Sequence, residues 1–212
     1  HGLMSANSIV GPMSLGKKRI VLDTWAAMVT PLVSSSTVIN GCTIEPLNLG
    51  IGFHGTGTVK YCSITGATTG CTGLMDHSIV DDAVTGIDTA GDGACISRNL
   101  ILNCETGIKA SGAVNCTIAK CKTGIHLTGT VGIPESIEKN ILALNELDIT
   151  ADSPRTIGRN LFRTSSGVTV ADGETQIADL PLFVDPENGD YTLRDKIGRA
   201  HVELQSHHPI SY

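Results

Sequence analysis

Aromatic residues are scarce in this 212-residue chain: they make up 3% of it, against 24 glycines. A globular sandwich of this length fills its core with more aromatic volume. The shortage points to a narrow column of stacked Ile, Val, Leu and Cys, as in a solenoid. Long apolar runs are missing as well. No stretch approaches the ~18 consecutive apolar residues of a membrane span. No run of Lys and Arg exceeds Lys17-Lys18-Arg19, and the formal net charge is −6. Nucleic-acid binding needs a basic footprint and is disfavoured. No two cysteines have the C-x-x-C spacing of zinc or redox sites. No signal peptide is visible. The start at His1 with Met4 inside reads as a processed end, a tag remnant or a domain cut from something longer.

What is present is a repeat of about twenty residues. Its anchors are Cys42, Cys62, Ser78, Asn99, Cys116, Asn140, Asn160 and Leu180. Two residues later the chain reads Ile44, Ile64, Val80, Ile101, Ile118, Leu142, Phe162 and Leu182. Three residues before each anchor it reads Ile39, Val59, Met75, Ile96, Ala113, Ile137, Ile157 and Ile177. Eight residues after come Gly50, Gly70, Gly86, Gly107, Gly124 and then Asp148, followed by Ile51, Cys71, Ile87, Ile108, Ile125 and Ile149. Small and β-branched residues in register at such a period predict a solenoid of about eight coils.

One coil, Ala94 to Gly112, shows how the pattern works. Leu100-Ile101-Leu102 is an aliphatic strand, Glu105-Thr106-Gly107 a bend, and Ile108 to Ser111 alternates inward and outward. Neighbouring coils would stack these strands in parallel, ~4.8 Å apart. Asn99, Asn140 and Asn160 suit an amide ladder at a turn. The seven cysteines fall on the same grid. Cys42, Cys62 and Cys116 are anchors, Cys71 is in the Ile column, and Cys104 and Cys121 share a column with Ala67 and Ala83. These are places for a small buried hydrophobe. Cys104 and Cys121 are expected to be neighbouring buried thiols, neither disulfide-bonded nor metal-bound.

The segments IVDDAVTGIDTAGDGACISRNLILNCETGI (79–108), NCTIAKCKTGIHLTG (115–129) and PLFVDPENGDYTLR (181–194) resemble the right-handed β-helix repeat branch of the pectin-lyase-like superfamily. This branch includes secreted bacterial proteins and phage tail proteins. The resemblance spans about residues 20 to 200 and implies an all-β, right-handed parallel β-helix. In the last segment Asn188-Gly189 can make a tight hairpin turn. Asp195 to Ala200 departs from the Ser-Pro-Ala-Ile-like stretch of relatives. The implied organisation is an N-terminal cap or partial first coil at 1–36, with Arg19 to Asp23 as a candidate strand. The β-helix follows at 37–194 and a C-terminal cap or tail at 195–212.

In enzymes of that superfamily, catalytic groups project from adjacent coils of one sheet. Ten residues after the anchors the outward column reads Gly52, Thr72, Asp88, Lys109, His126 and Thr150. Asp88, Lys109 and His126 could run acid–base chemistry, with Lys109 stabilising a substrate carboxylate. The same column is also what a solvated charge ladder would look like. A second group is Asp82, Asn103 and Lys120, a candidate substrate-binding set beside Asp81. The Asp81-Asp82 pair could act as glycosidase acid and base, or hold Ca²⁺ with Asp88 and Asp92 as another oxygen source. Solvated turn carboxylates are the competing reading. No cofactor motif or metal-ligand pattern is present. His54-Gly55 resembles the Gly-His-Gly element of polygalacturonase-like hydrolases, but its Asn-Thr-Asp and Arg-Ile-Lys companions are absent. The Tyr-Gly-x-Asp-Pro-His pattern of mannuronan epimerases is absent too. His207-His208 sits in the tail.

Two functions follow as expectations. One is an extracellular, cell-surface or virion module that recognises a polysaccharide or cell-surface glycan, or serves a structural or adhesive role. The other is a polysaccharide lyase or glycoside hydrolase. A phage origin would imply a homotrimer.

Overall fold

The computed structural model describes residues 18–22, 32–33, 38–46, 51–55, 58–89, 96–129, 137–171 and 183–193. They form a parallel β-solenoid. Each coil contributes one short strand to each of three sheets. Sheet 1 stacks Val38–Asn40, Thr58–Lys60, Leu74–Asp76, Ile96–Ser97, Ala113–Val114 and Ile137–Glu138. Sheet 2 stacks Lys18–Leu22, Cys42–Pro46, Ser63–Thr65, Ile79–Asp81, Leu100–Leu102, Thr117–Ala119 and Ile141–Ala143. Sheet 3 stacks Leu32–Val33, Ile51–Gly55, Thr69–Cys71, Thr85–Asp88, Thr106–Ala110, Thr123–Leu127, Leu147–Ile157 and Ser165–Val170.

The predicted interior columns are in register. In sheet 2, Ile44 pairs with Ile64, then Val80, Ile101, Ile118 and Leu142 follow in line. Ile20 extends the column one coil further, opposite Ile44. In sheet 1, Val59, Met75, Ile96, Ala113 and Ile137 are all buried. Together with Ile87, Ile108, Ile125 and Ile149 of sheet 3 they make one continuous core. A lone coil would leave this surface in water; stacking is what buries it.

Among the described residues, the corners between sheets 1 and 2 and between sheets 2 and 3 are each made by a single residue with positive φ. Between sheets 1 and 2 these residues are Gly41, Tyr61, His77, Arg98, Asn115, Lys139 and Arg159. Between sheets 2 and 3 they are Gly66, Asp82, Asn103, Lys120 and Leu144. The left-handed conformation is uncommon for residues with a Cβ. Here coil stacking enforces it: the Arg98 N–H donates to Val114 O and the Asn103 N–H to Ala119 O, each one coil on.

Among the described residues, six complete three-strand coils are present where about eight coils were expected. The seventh anchor, Asn160, begins a coil that reaches sheet 2 only as an isolated bridge between Ile141 and Leu161. The eighth anchor, Leu180, lies outside the described residues. Beyond it the chain changes architecture. Phe183–Asp185 and Asp190–Leu193 form an antiparallel hairpin, with Pro186–Asn188 in a 3₁₀ turn and Gly189 left-handed at φ 85°. Asn188-Gly189 thus belongs to a four-residue connection, Pro186 to Gly189, not a two-residue turn. The hairpin packs Phe183, Tyr191 and Leu193 onto Ile141, Ala143 and Leu161, on the outer face of sheet 2.

The register departs from expectation near the N-terminal end. Phe53 pairs with Cys71, so Gly52 and Phe53 occupy the columns assigned to Gly50 and Ile51. The coil is two residues longer before sheet 3. This moves His54, not Gly52, into line with Thr72. The candidate strand at Arg19 to Asp23 runs instead from Lys18 to Leu22, with Lys18 paired to Cys42.

Cys62, Cys71, Cys104, Cys116 and Cys121 are buried, Cys71, Cys104 and Cys121 as free thiols, and no cluster fit to hold a metal occurs among the described residues. Burial pushes the Cys71 thiol up to about 12. The adjacent Cys121 thiol, and then burial, push the Cys104 thiol well above its usual range. The side chain of Cys42 and all of Cys95 lie outside the described residues.

Candidate functional site

The outward face of sheet 3 carries the expected column. Asp88 pairs with Lys109, Lys109 with His126, and His126 with Thr150. Alternation along each strand sets the direction. In Thr106–Ala110, Ile108 and Ala110 are buried, so Lys109 between them points outward. The Lys109 Nζ stands 3.4 Å from Asp88 Oδ2. His126 Nε2 stands 2.7 Å from an oxygen of Asp152.

Asp152 was not foreseen. Leu147–Ile157 is eleven residues long and runs past the point where earlier coils turn away. Its extension brings Asp152, two residues beyond Thr150, against the imidazole. The face therefore alternates carboxylate, ammonium, imidazole and carboxylate, all partly exposed. Chemically it offers donors and acceptors at one-coil intervals, together with a carboxylate-oriented imidazole able to accept or deliver a proton.

The second set shares the corner between sheets 2 and 3. Asp82 and Asn103 are exposed, and Asn103 Nδ2 donates to Asp81 Oδ1 at 2.7 Å. The positive φ of Asp82 separates it from Asp81, which stays in its strand. Lys120 is committed elsewhere. Its Nζ donates to Pro186 O at 2.9 Å, lies 3.9 Å from Glu187 and stands 6.0 Å from the Tyr191 ring centroid. Lys120 thus fastens the hairpin, and burial there pushes the Tyr191 hydroxyl up. Asp92 and His207-His208 lie outside the described residues, as does the side chain of His54.

A third group appears at the corner between sheets 1 and 2. Asp76 accepts from Ser97 Oγ at 2.9 Å and from Arg98 Nε and Nη2 at 2.8 and 2.9 Å. His77 Nδ1 lies 3.1 Å from Asp76, and the His77 ring stacks on Tyr61. Burial works against ionisation of Asp76, but Arg98, Ser97 and His77 outweigh it and hold the carboxyl below its ordinary range. The signal was available: the column one residue before the anchors reads Gly41, Tyr61, His77 and Arg98.

No helix among the described residues is long and apolar enough to cross a membrane. No family model, curated protein or solved structure matches the chain. The fold alone classes it as a parallel β-solenoid protein.

Proposed function

We propose that this chain is a glycan-recognising β-solenoid module of an extracellular, cell-surface or virion protein. The reading is supported by its sequence resemblance to the β-helix repeat branch of the pectin-lyase-like superfamily. The observation that carries it is the outward column Asp88, Lys109, His126 with Asp152 closing on the imidazole at 2.7 Å. A linear polysaccharide laid along the solenoid axis would meet these groups at successive coils. Lys109 would receive the carboxylate of an acidic sugar, and the two Asp side chains would accept hydroxyls.

The His126–Asp152 pair also favours a second reading, a polysaccharide lyase or hydrolase in which the imidazole moves the proton. One screen addresses both. Acidic and neutral polysaccharides are tested for binding and for cleavage, then again with Lys109→Ala and His126→Ala. The expected result is an acidic glycan whose affinity falls about tenfold with Lys109→Ala, as for loss of one charge-assisted hydrogen bond. Cleavage lost with His126→Ala, binding retained, would establish the enzyme. A glycan bound or cut equally by parent and both variants would place the site elsewhere. For a virion component a homotrimer is expected, measurable by light scattering.

A further inference from the structure

Cys104 and Cys121 lie one above the other on consecutive coils. The register fixes this from both sides. Leu102 pairs with Ala119 just before them and Thr106 with Thr123 just after, at the same offset. Between those pairs the Lys122 N–H donates to Cys104 O at 3.0 Å. Parallel neighbours in register hold their Cα atoms ~4.8 Å apart. A disulfide spans Cα separations of ~4.4–6.8 Å. The two side chains also share a direction: Cys104 Sγ stands 3.1 Å from Leu102 O and Cys121 Sγ 3.5 Å from Ala119 O. Other buried thiols lack such a neighbour. Cys71 stands between Phe53 and Ile87 in its column, and Cys116 between Asn99 and Asn140.

We infer that Cys104 and Cys121 are a redox pair, which hydrogen peroxide converts from the two thiols seen here to a disulfide stapling consecutive coils. Cys121 is the attacking sulfur. The Cys104 S–H donates to it, which favours the Cys121 thiolate and holds that thiol below its ordinary range. The thiolate attacks one peroxide oxygen, the O–O bond breaks, hydroxide leaves and Cys121 becomes a sulfenic acid. The Cys104 sulfur then attacks the Cys121 sulfur. The S–S bond forms as the S–O bond breaks, and the oxygen leaves as water with the Cys104 proton. The hydroxide takes up the proton that Cys121 gave up. Both thiols are oxidised to one disulfide, and one peroxide is reduced to two waters.

The pair is buried but shallow. Its chain neighbours Asn103, Glu105 and Lys122 are exposed. Local opening of this one corner therefore brings an oxidant as small as peroxide to the sulfurs. Closing the bond asks one sulfur to turn away from its carbonyl and leaves the strands in place. The two cysteines lead directly into Thr106–Ala110 and Thr123–Leu127. The staple thus joins the two coils that carry Lys109 and His126, and it needs no ligand on that face.

The test is mass spectrometry of the folded full chain. The reduced protein is treated with hydrogen peroxide, its remaining thiols are alkylated in denaturant, and the chain is cut with trypsin. Cleavage after Arg98, Lys109, Lys120 and Lys122 puts Cys104, Cys116 and Cys121 on separate peptides. A peptide 99–109 joined to 121–122, and released by dithiothreitol, is expected. Alanine fills the same column at Ala67 and Ala83, so Cys104→Ala keeps the fold. This variant should lose the joined peptide and leave a Cys121 sulfenic acid that dimedone captures. The oxidised parent should melt about 5 °C or more above the reduced one, a difference absent in Cys104→Ala. The inference is overturned if the folded chain gives no joined peptide, or if peroxide joins peptide 110–120 instead. It is also overturned if the joined peptide forms and the melting temperature does not rise.

Discussion

The side-chain amide of Asn140 donates to the side-chain oxygen of Asn160 at 2.9 Å, one coil on, with both residues buried. Asn140 also accepts the Cys116 N–H at 2.9 Å and donates to Ala113 O at 2.7 Å. Asn99 does the same two levels earlier, accepting the Ser78 N–H and donating to Met75 O. Each asparagine thus satisfies backbone groups of the preceding coil that the corner leaves without a strand partner. Asn140→Leu keeps the approximate volume and strands the Cys116 N–H and Ala113 carbonyl in an apolar interior. A loss of about 3 kcal/mol is expected from chemical denaturation. A change under about 0.5 kcal/mol would mean water replaces the amide.

The glycine column of sheet 3 sets the closeness of the coils. A Cβ on Gly107 would stand 2.6 Å from Gly124 O and 2.7 Å from Ile118 Cγ2. Both are fixed, one by backbone and one by the packed core. Gly107→Ala should therefore cost about 3 kcal/mol or more through overpacking. Gly189→Ala meets no atom but must hold φ 85°, and should cost about 1 kcal/mol. Thermal melts of the two variants should keep that order; the reverse would show that the coils can separate without penalty.

The column ends at Asp148, where the sequence breaks its own rule. Among the described residues no complete coil follows to demand a glycine. The carboxylate instead accepts from Arg163 N at 2.7 Å, Thr164 N at 3.0 Å and Asn145 Nδ2 at 2.9 Å. Asn145 in turn takes the place of Cys121 and Cys104 in their column and accepts the Cys121 N–H. These two polar residues stand in for the hydrogen bonds a further coil would supply. The interior columns from Ile44 to Leu142 were legible because stacking repeats the same offset at every level. The coil count was not, because apolar spacing persists through Phe162 and Leu182 after three-strand coils cease. The two-residue slip at Gly52 was hidden because both Gly50-Ile51 and Gly52-Phe53 put glycine before a large apolar residue. Asp88, Lys109 and His126 could be aligned by register alone, whereas Asp152 depends on where one strand stops.

Stability should depend on pH at both extremes. Cys71 ionises near 9.0 when unfolded and about 12 when folded. Between those values the unfolded chain releases its proton first, so stability falls as pH rises. The slope is on the order of 1 kcal/mol per pH unit. Cys71→Ala should flatten it; an unchanged slope would assign it to other groups. Asp76 acts in the opposite direction. Its folded value is below the ordinary 3.8, so its contribution is present above that value and lost as pH falls through the folded one. Asp76→Asn should remove that part of the acid transition.

Arg155 is the last element the repeat does not announce. Its Nη1 donates to Ser111 O at 2.9 Å, and its Nη2 to Thr128 O at 2.7 Å and Gly129 O at 2.9 Å. Ser111 and Thr128 follow sheet 3 strands of two successive earlier coils, so one guanidinium ties three levels together along the axis. Arg155→Ala leaves three carbonyls without their charged donor and should cost about 2–3 kcal/mol. Arg155→Lys keeps the charge but not the fork that reaches both levels, and should recover less than half of that loss. Full recovery by lysine would show that charge alone, and not the planar geometry, holds this edge of the solenoid.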